Sequence, residues 1–313
     1  MSIAGRVPDL KSLATLLGLS PQRIFPFVKE PDKYYKSYDV VKKSGGKRSI
    51  HIPCLELKGI QRLLLANVLY EFPAHENAYG FVRNRSTRAA ALIHSGSRML
   101  VKMDIMNFFP TISEKRVFGL LNKRLGFTTK CSYVISRLLT QGGVLPQGAP
   151  TSPHIANLIL FPFDEFLRLK SLKLGCAYTR YADDIAISSP AGSDAALHFL
   201  KAVPYQLKNH GFKLNDSKTV VRRANSARQY LGINISSQTI VPNRRIKRNL
   251  RTSAHRAMTD SSFGNKDFEK FQGLLEYYGQ IAGRDFHYRQ AKGAVRARLE
   301  SSLNKEHSPF ELT

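Results

Sequence analysis

Residues 178–188 read YTRYADDIAIS. Ala177 to Arg180 and Ile185 to Ser188 have the composition of two short strands, which leaves Tyr181, Ala182, Asp183 and Asp184 around the turn of a hairpin. Carboxylates at a hairpin tip make poor core residues and good ligands for a hard cation. An Asp-Asp pair alone carries little weight, because solvated pairs of this kind are common. Its meaning depends on a third carboxylate: Asp104 closes an apolar strand, Met99-Leu100-Val101-Lys102-Met103. Two such strands can be neighbours in one sheet, which would bring all three aspartates together.

Composition sets the frame. The 313 residues include 48 Lys and Arg against 23 Asp and Glu, a net charge of +25. That excess is far beyond what solubility requires and points to a polyanionic partner, nucleic acid before an anionic membrane. No apolar run is long enough to span a bilayer, and neither a signal peptide nor a lipidation motif is visible, so the expectation is a soluble cytoplasmic protein without membrane association. Cys54, Cys131 and Cys176 lack the paired spacing of a zinc site or a disulfide framework and read as reduced packing residues.

Further out, Leu10 to Val28 holds two short helical patterns around Gly18 and Ser20. They superficially resemble a helix-turn-helix, but an N-terminal packing arm is the preferred reading. Tyr34–Val41 and Lys47–Ile52 form a predicted hairpin turning at Ser44, Gly45 and Gly46, with a basic tip, and a helix is expected over Glu56–Glu71. Helices are also expected near Ser113–Leu125 and Lys130–Thr140, and one long helix from Ser152, where Pro153 suits the first turn. From Ser217 to Thr259 there is no Asp or Glu, while Lys218, Arg222, Arg223, Arg228, Arg244, Arg245, Lys247, Arg248, Arg251 and Arg256 are all basic. Ile246, Leu250, Ala257 and Met258 keep an apolar helical stripe through that run, so its cations can project from the opposite face. Phe268, Phe271, Leu274, Leu275 and Tyr278 mark a second amphipathic helix beyond it.

Three segments in fixed order turn the aspartates into a recognisable set. VKMDIMNFFPTI (101–112), VLPQGAPTSPHIANLIL (144–160) and YTRYADDIAIS (178–188) resemble the first aspartate motif, the Pro-Gln-Gly motif and the Tyr-x-Asp-Asp motif of reverse transcriptases. KKSGGKRSIHIP (42–53) and AYGFVRNRSTR (78–88) are similar to that family's fingers motifs. GFKLNDSKT (211–219) is similar to the palm motif after the active-site hairpin, and YLGINI (230–235) to the primer-grip region. The resemblance covers residues 38 to 235. It implies an α+β right-hand polymerase fold with fingers, a palm of antiparallel sheet packed on helices, and a small helical thumb. The implied boundaries are an N-terminal helical arm over 1–33, fingers over 34–98, palm with connecting helices over 99–235 and a basic thumb over 236–313.

The same resemblance implies roles. Asp104, Asp183 and Asp184 would be catalytic and would hold two Mg2+ ions, Asp184 less directly, while dNTPs are the substrates. Phe109 would sit under the sugar and reject a ribose 2′-hydroxyl; from the residues alone, core packing beside Phe108 is the simpler account. Gln147 and Gly148 would shape the nucleotide pocket, Arg48 with Lys42, Lys43 or Lys47 would clamp the triphosphate, and Lys218 would protonate the departing pyrophosphate; from the residues alone, an ordinary solvated lysine is an equal account of Lys218. Arg244, Arg245, Lys247, Arg248 and Arg251 are the candidate RNA-binding residues.

Within the family, the length, the absence of a segment resembling RNase H or an endonuclease, and LPQGAPTSP (145–153) most resemble bacterial retron enzymes. Those copy a structured noncoding RNA into branched RNA–DNA (msDNA), and many act in antiphage defence with an accessory effector protein. Two departures exist: Ala90-Ala91-Leu92-Ile93-His94 keeps the histidine but not the asparagine of the retron Asn-Ala-x-x-His element. Tyr230-Leu231-Gly232 stands where Val-Thr-Gly is usual and looks more like group II intron enzymes. His94 itself reads as a structural residue. The competing expectations are another defence-associated or group II-like reverse transcriptase, a noncatalytic RNA-binding polymerase scaffold, and a template-independent transferase.

Overall fold

The computed structural model describes residues 5, 9–41, 45–190, 193–223, 226–236, 239–260 and 262–306, with side chains to 300. Two compact units are built from interleaved stretches. One comprises 1–86, 101–189 and 193–221, the other 87–100, 190–192 and 222–313.

In the first unit, α1 (Leu10–Leu16) and α2 (Pro21–Lys29) bury Leu13, Ala14, Ile24, Phe27 and Val28 and lie against α6 (Thr129–Leu139). Asp9 caps α1 by accepting the Ser12 amide at 2.8 Å. Strands β1 (Tyr35–Val41) and β2 (Lys47–Pro53) pair antiparallel in the register Tyr35–Pro53 to Val41–Lys47. The helix expected to Glu71 stops earlier, as α3 (Leu55–Asn67); Val68 leaves helical geometry at φ −126° and is fully buried.

A four-stranded sheet in the order β4-β5-β3-β6 carries the aspartates on β3 (Met99–Asp104) and on the hairpin of β4 (Ala177–Tyr181) and β5 (Asp184–Ser189), with β6 (Val220–Arg222) at its edge. After α4 (Thr87–Ile93), α5 (Glu114–Gly119), which runs into a π-helical turn, precedes α6. The single long helix expected from Ser152 is two helices, α7 (Ser152–Ile159) and α8 (Phe161–Lys173). The reason is Pro162, which has no N–H for the Leu158 carbonyl. That carbonyl instead accepts from Arg124 Nη1 at 3.0 Å. The next helix, α9, runs over Phe199–Asn209.

The second unit holds, among its described residues, a three-stranded antiparallel sheet, β7 (Arg228–Tyr230), β8 (Ile233–Ile235) and β9 (Ile240–Pro242), and, besides α4, three further helices. These are α10 (Arg244–Thr259), α11 (Asn265–Ala282) and α12 (Phe286–Glu306). Asn243 caps α10 through the Ile246 amide at 2.8 Å and ties it to the sheet by donating to the Gly232 carbonyl at 2.7 Å. Leu250, Ala254, Ala257, Phe271, Leu275 and Tyr278 form its core. Met258, expected in the apolar stripe, is 68% exposed: it lies about 80° around the helix from Leu250, and Ala254 faces the core in its place. Arg228, expected among the cations of a phosphate-facing surface, is buried on β7. His94 at the end of α4 is also buried, edge-on to Tyr230 with ring centroids 5.5 Å apart, and burial pushes its pKa down to about 3. It is a neutral packing histidine. Among the described residues no helix is long and apolar enough to cross a membrane.

Candidate active site

Asp104 ends β3 with its side chain 9% exposed. Lys218 Nζ donates to both of its carboxylate oxygens, at 3.0 and 2.9 Å, and Asn215 Nδ2 donates to Oδ1 at 3.1 Å. The backbone fixes this corner too. Asn215 N donates to the Asp104 carbonyl at 2.8 Å and Ile105 N to the Asp183 carbonyl at 3.0 Å, so the end of β3 is bonded both to the hairpin tip and to the segment that delivers Lys218.

Asp183 and Asp184 occupy the tip of the hairpin, as the two short strands suggested. Tyr181 pairs with Asp184, leaving Ala182 and Asp183 as a two-residue loop with Ala182 at φ +56°. A non-glycine residue there costs about 1–2 kcal/mol, so the surroundings must enforce the turn. Gly80 is one reason they can: a Cβ at that position would lie 2.4 Å from the Ala182 nitrogen. The Asp183 carboxyl is held above the usual carboxylate range by burial and then by Asp104, with Lys218 and Arg48 acting in the opposite sense. Burial, Asp183 and Asp104 raise Asp184 to about 6, opposed by Lys218 and Lys102.

Carboxylates that raise one another's proton affinity are a donor set in deficit of positive charge. All of their ligating atoms are hard oxygens, the type that suits Mg2+. Among the described residues no three His, Cys, Asp or Glu side chains are gathered closely enough to enclose an ion by themselves.

The Pro-Gln-Gly segment meets the β1–β2 hairpin directly. His51 N donates to the Gln147 carbonyl at 2.8 Å, and Gly148, at φ +131°, approaches so closely that a Cβ would lie 2.7 Å from the His51 carbonyl. Phe108 is the core ring of its pair; Phe109, 5.0 Å from it, is half-buried. Packing therefore consumes the first phenylalanine and leaves part of the second available. Arg48 is exposed on β2, while Lys47 is 3.9 Å from Asp39. Lys42 and Lys43 lie outside the described residues. Arg244, Arg245, Arg248 and Arg251 are exposed on α10, and Lys247 is half-buried.

Sequence reasoning missed Asn215, although it stands inside a segment singled out for Lys218, and it missed the partners of Arg180. Asp164 lies among phenylalanines in FPFDEF (161–166); a carboxylate in so apolar a run was the available signal for a buried cation elsewhere.

The model of the reverse transcriptase (RNA-dependent DNA polymerase) family matches residues 40–235, from the β1–β2 hairpin through the three aspartates to β8. The chain belongs to this family. Among curated proteins, the Retron Mx162 reverse transcriptase of Myxococcus xanthus is 34% identical over 258 residues, covering 72% of this chain and 53% of that one. The Retron Ec73 reverse transcriptase of Escherichia coli is 33% identical over 272 residues, covering 79% and 83%. The chain thus spans about half the length of the first relative. Among solved structures, a Candida tropicalis telomerase in complex with a fragment of telomeric RNA aligns with a TM-score of 0.49 at 12% identity, over 88% of this chain and 55% of that one. The right-hand polymerase architecture expected from the motifs is consistent with family membership and with the helices and antiparallel hairpins described above.

Proposed function

We propose that this chain is an RNA-directed DNA polymerase that reverse transcribes a structured noncoding RNA, its own retron RNA, into single-stranded cDNA. The observation that carries the reading is the junction of β3 with the β4–β5 hairpin, where Asp104, Asp183 and Asp184 share one electrostatic field inside the segment matched by the family. In this reading residues 34–98 are fingers, 99–235 palm and 236–313 thumb, with 1–33 as the packing arm. The similarity to named retron enzymes supports a branched RNA–DNA product, a bacterial cytoplasmic setting and a place in antiphage defence with an accessory effector.

Asp104 and Asp183 would hold two Mg2+ ions, with Asp184 completing the cluster. When bound, the ions supply activation of the primer 3′-hydroxyl and neutralisation of the triphosphate. Lys218, released from Asp104, donates a proton to the leaving pyrophosphate. Arg48 engages the triphosphate, Gln147 and Gly148 bound the nucleotide, and the exposed part of Phe109 excludes a ribose 2′-hydroxyl. Arg244, Arg245, Lys247, Arg248 and Arg251 track the RNA backbone, whose A-form shape and phosphates suit a row of cations.

The test is extension of a primed RNA template by the purified chain with dNTPs and Mg2+, followed by sequencing of the DNA. Product complementary to the template is the expected result. Untemplated addition would reassign the chain as a terminal transferase, and RNA binding without extension would leave a polymerase scaffold.

A further inference from the structure

Arg180 is fully buried, and so is its partner Asp164. Arg180 Nε donates to Asp164 Oδ1 at 2.7 Å and Nη2 to Oδ2 at 2.6 Å, a two-pronged pair that only a guanidinium can make. Tyr178 Oη donates to the same carboxylate at 2.6 Å. Burial would strip the Arg180 proton more easily, but the Asp164 charge overcomes this, and the guanidinium stays firmly charged. Its remaining nitrogen, Nη1, reaches both Asn157 Oδ1 and the Ala182 carbonyl, each at 3.0 Å. Asn157 Nδ2 then donates to the Gly80 carbonyl at 2.9 Å, and Gly80 is the residue pressed against the Ala182 nitrogen. Along the chain, Arg180 N donates to the Asn77 carbonyl at 2.8 Å and the Arg180 carbonyl accepts from Tyr79 N at 2.7 Å.

These contacts close on one residue. Ala182 is the left-handed residue of the hairpin, and its carbonyl begins the peptide plane that leads into Asp183. The Arg180 guanidinium holds that carbonyl, while Gly80 backs the preceding peptide at the Tyr181 carbonyl carbon and the Ala182 nitrogen. A buried ion pair is poor evidence for stability, since well-packed apolar groups of the same volume often serve as well. An apolar pair, however, could not donate to the Ala182 carbonyl.

We propose that Arg180, Asp164 and Asn157 form a positioning device that acts through the Ala182 peptide to aim the Asp183 carboxylate. None of the three touches substrate. The inference rests on the polymerase reading of Asp183, but the network's hold on the hairpin can be measured without it.

The experiment compares wild type with Arg180→Lys, which keeps the charge and loses the fork, and with Asn157→Ala, which keeps the ion pair and severs the link to Gly80. Three readouts are taken: hydrogen exchange of peptides covering 177–188, single-turnover nucleotide incorporation across a Mg2+ titration, and calorimetric melting. For Arg180→Lys the hairpin amides exchange at least about tenfold faster and the incorporation rate falls about thirtyfold or more, because small misplacements of reacting groups are costly. The half-saturating Mg2+ concentration rises several-fold, while the KM for dNTP and the Kd for RNA stay within about twofold. Asn157→Ala shows the same pattern at roughly a third of the size, and it decides the matter if Arg180→Lys does not fold. A folded variant whose hairpin exchange and incorporation rate both match wild type overturns the proposal, as does slow incorporation with unchanged hairpin exchange. Wild type without incorporation would overturn the polymerase reading instead, and the exchange data would still decide whether the network holds the turn.

Discussion

Two acid–base pairs flank the aspartate hairpin, and they differ in one respect that decides their use. Lys218 pairs with Asp104 at 2.9 Å with its own side chain 52% exposed; Arg180 pairs with Asp164 at 2.6 Å with neither side chain exposed. A half-exposed ammonium is solvated almost as well off its partner as on it, so the pair can exchange Lys218 for another cation at little cost. The buried guanidinium has nowhere else to go, since breaking its pair would leave a charge unpaired in low dielectric. One pair is therefore suited to chemistry that needs Asp104 freed, and the other to holding a backbone turn still.

The comparison is most easily broken by removing one partner from each pair. Asp164→Ala should cost about 3–5 kcal/mol of stability, measured by denaturant unfolding; a loss under about 1 kcal/mol would mean that solvent reaches Arg180. A buried base without charge sharpens the same point. His94, held at about 3 against an unfolded value near 6.5, is depressed, so its contribution is complete above pH 6.5 and lost as pH falls below it. That loss amounts to about 2 kcal/mol at pH 5, and His94→Gln should flatten the acid limb of stability against pH. Lys218→Met should change stability by no more than about 1 kcal/mol while slowing incorporation by about a hundredfold. It should also lower the Mg2+ concentration needed for half-maximal binding, because a competing cation is gone. The smallest effects belong to exposed cations: Arg248→Ala and Arg251→Ala should each weaken RNA binding a few-fold and reduce the slope of log K against log salt by about one, leaving the melting temperature unchanged.

Local patterns were legible where local physics decides the outcome. The β1–β2 and β4–β5 hairpins, the N-terminal helix pair and the position of Asp104 at a strand end all follow from alternation, turn residues and apolar periodicity. The break between α7 and α8 was equally local, since Pro162 is plainly in the sequence, but an apolar run on both sides hid it. Which charges the interior pairs was not legible. Asp164 carried a signal in its apolar run, but Arg180 looks like a surface residue until the fold encloses it, because which carboxylate meets which guanidinium is a long-range fact. The partnership of Asn157 with Gly80, 77 positions apart, belongs to the same class.

If the Asp104–Asp183–Asp184 cluster is the catalytic centre of a template-copying polymerase, single-turnover extension of a primed RNA by wild type gives templated DNA, and Asp183→Asn loses at least about a hundredfold. The comparison is made at matched RNA occupancy, with folding checked by calorimetry and RNA affinity unchanged. Extension by Asp183→Asn within about tenfold of wild type would rule that centre out.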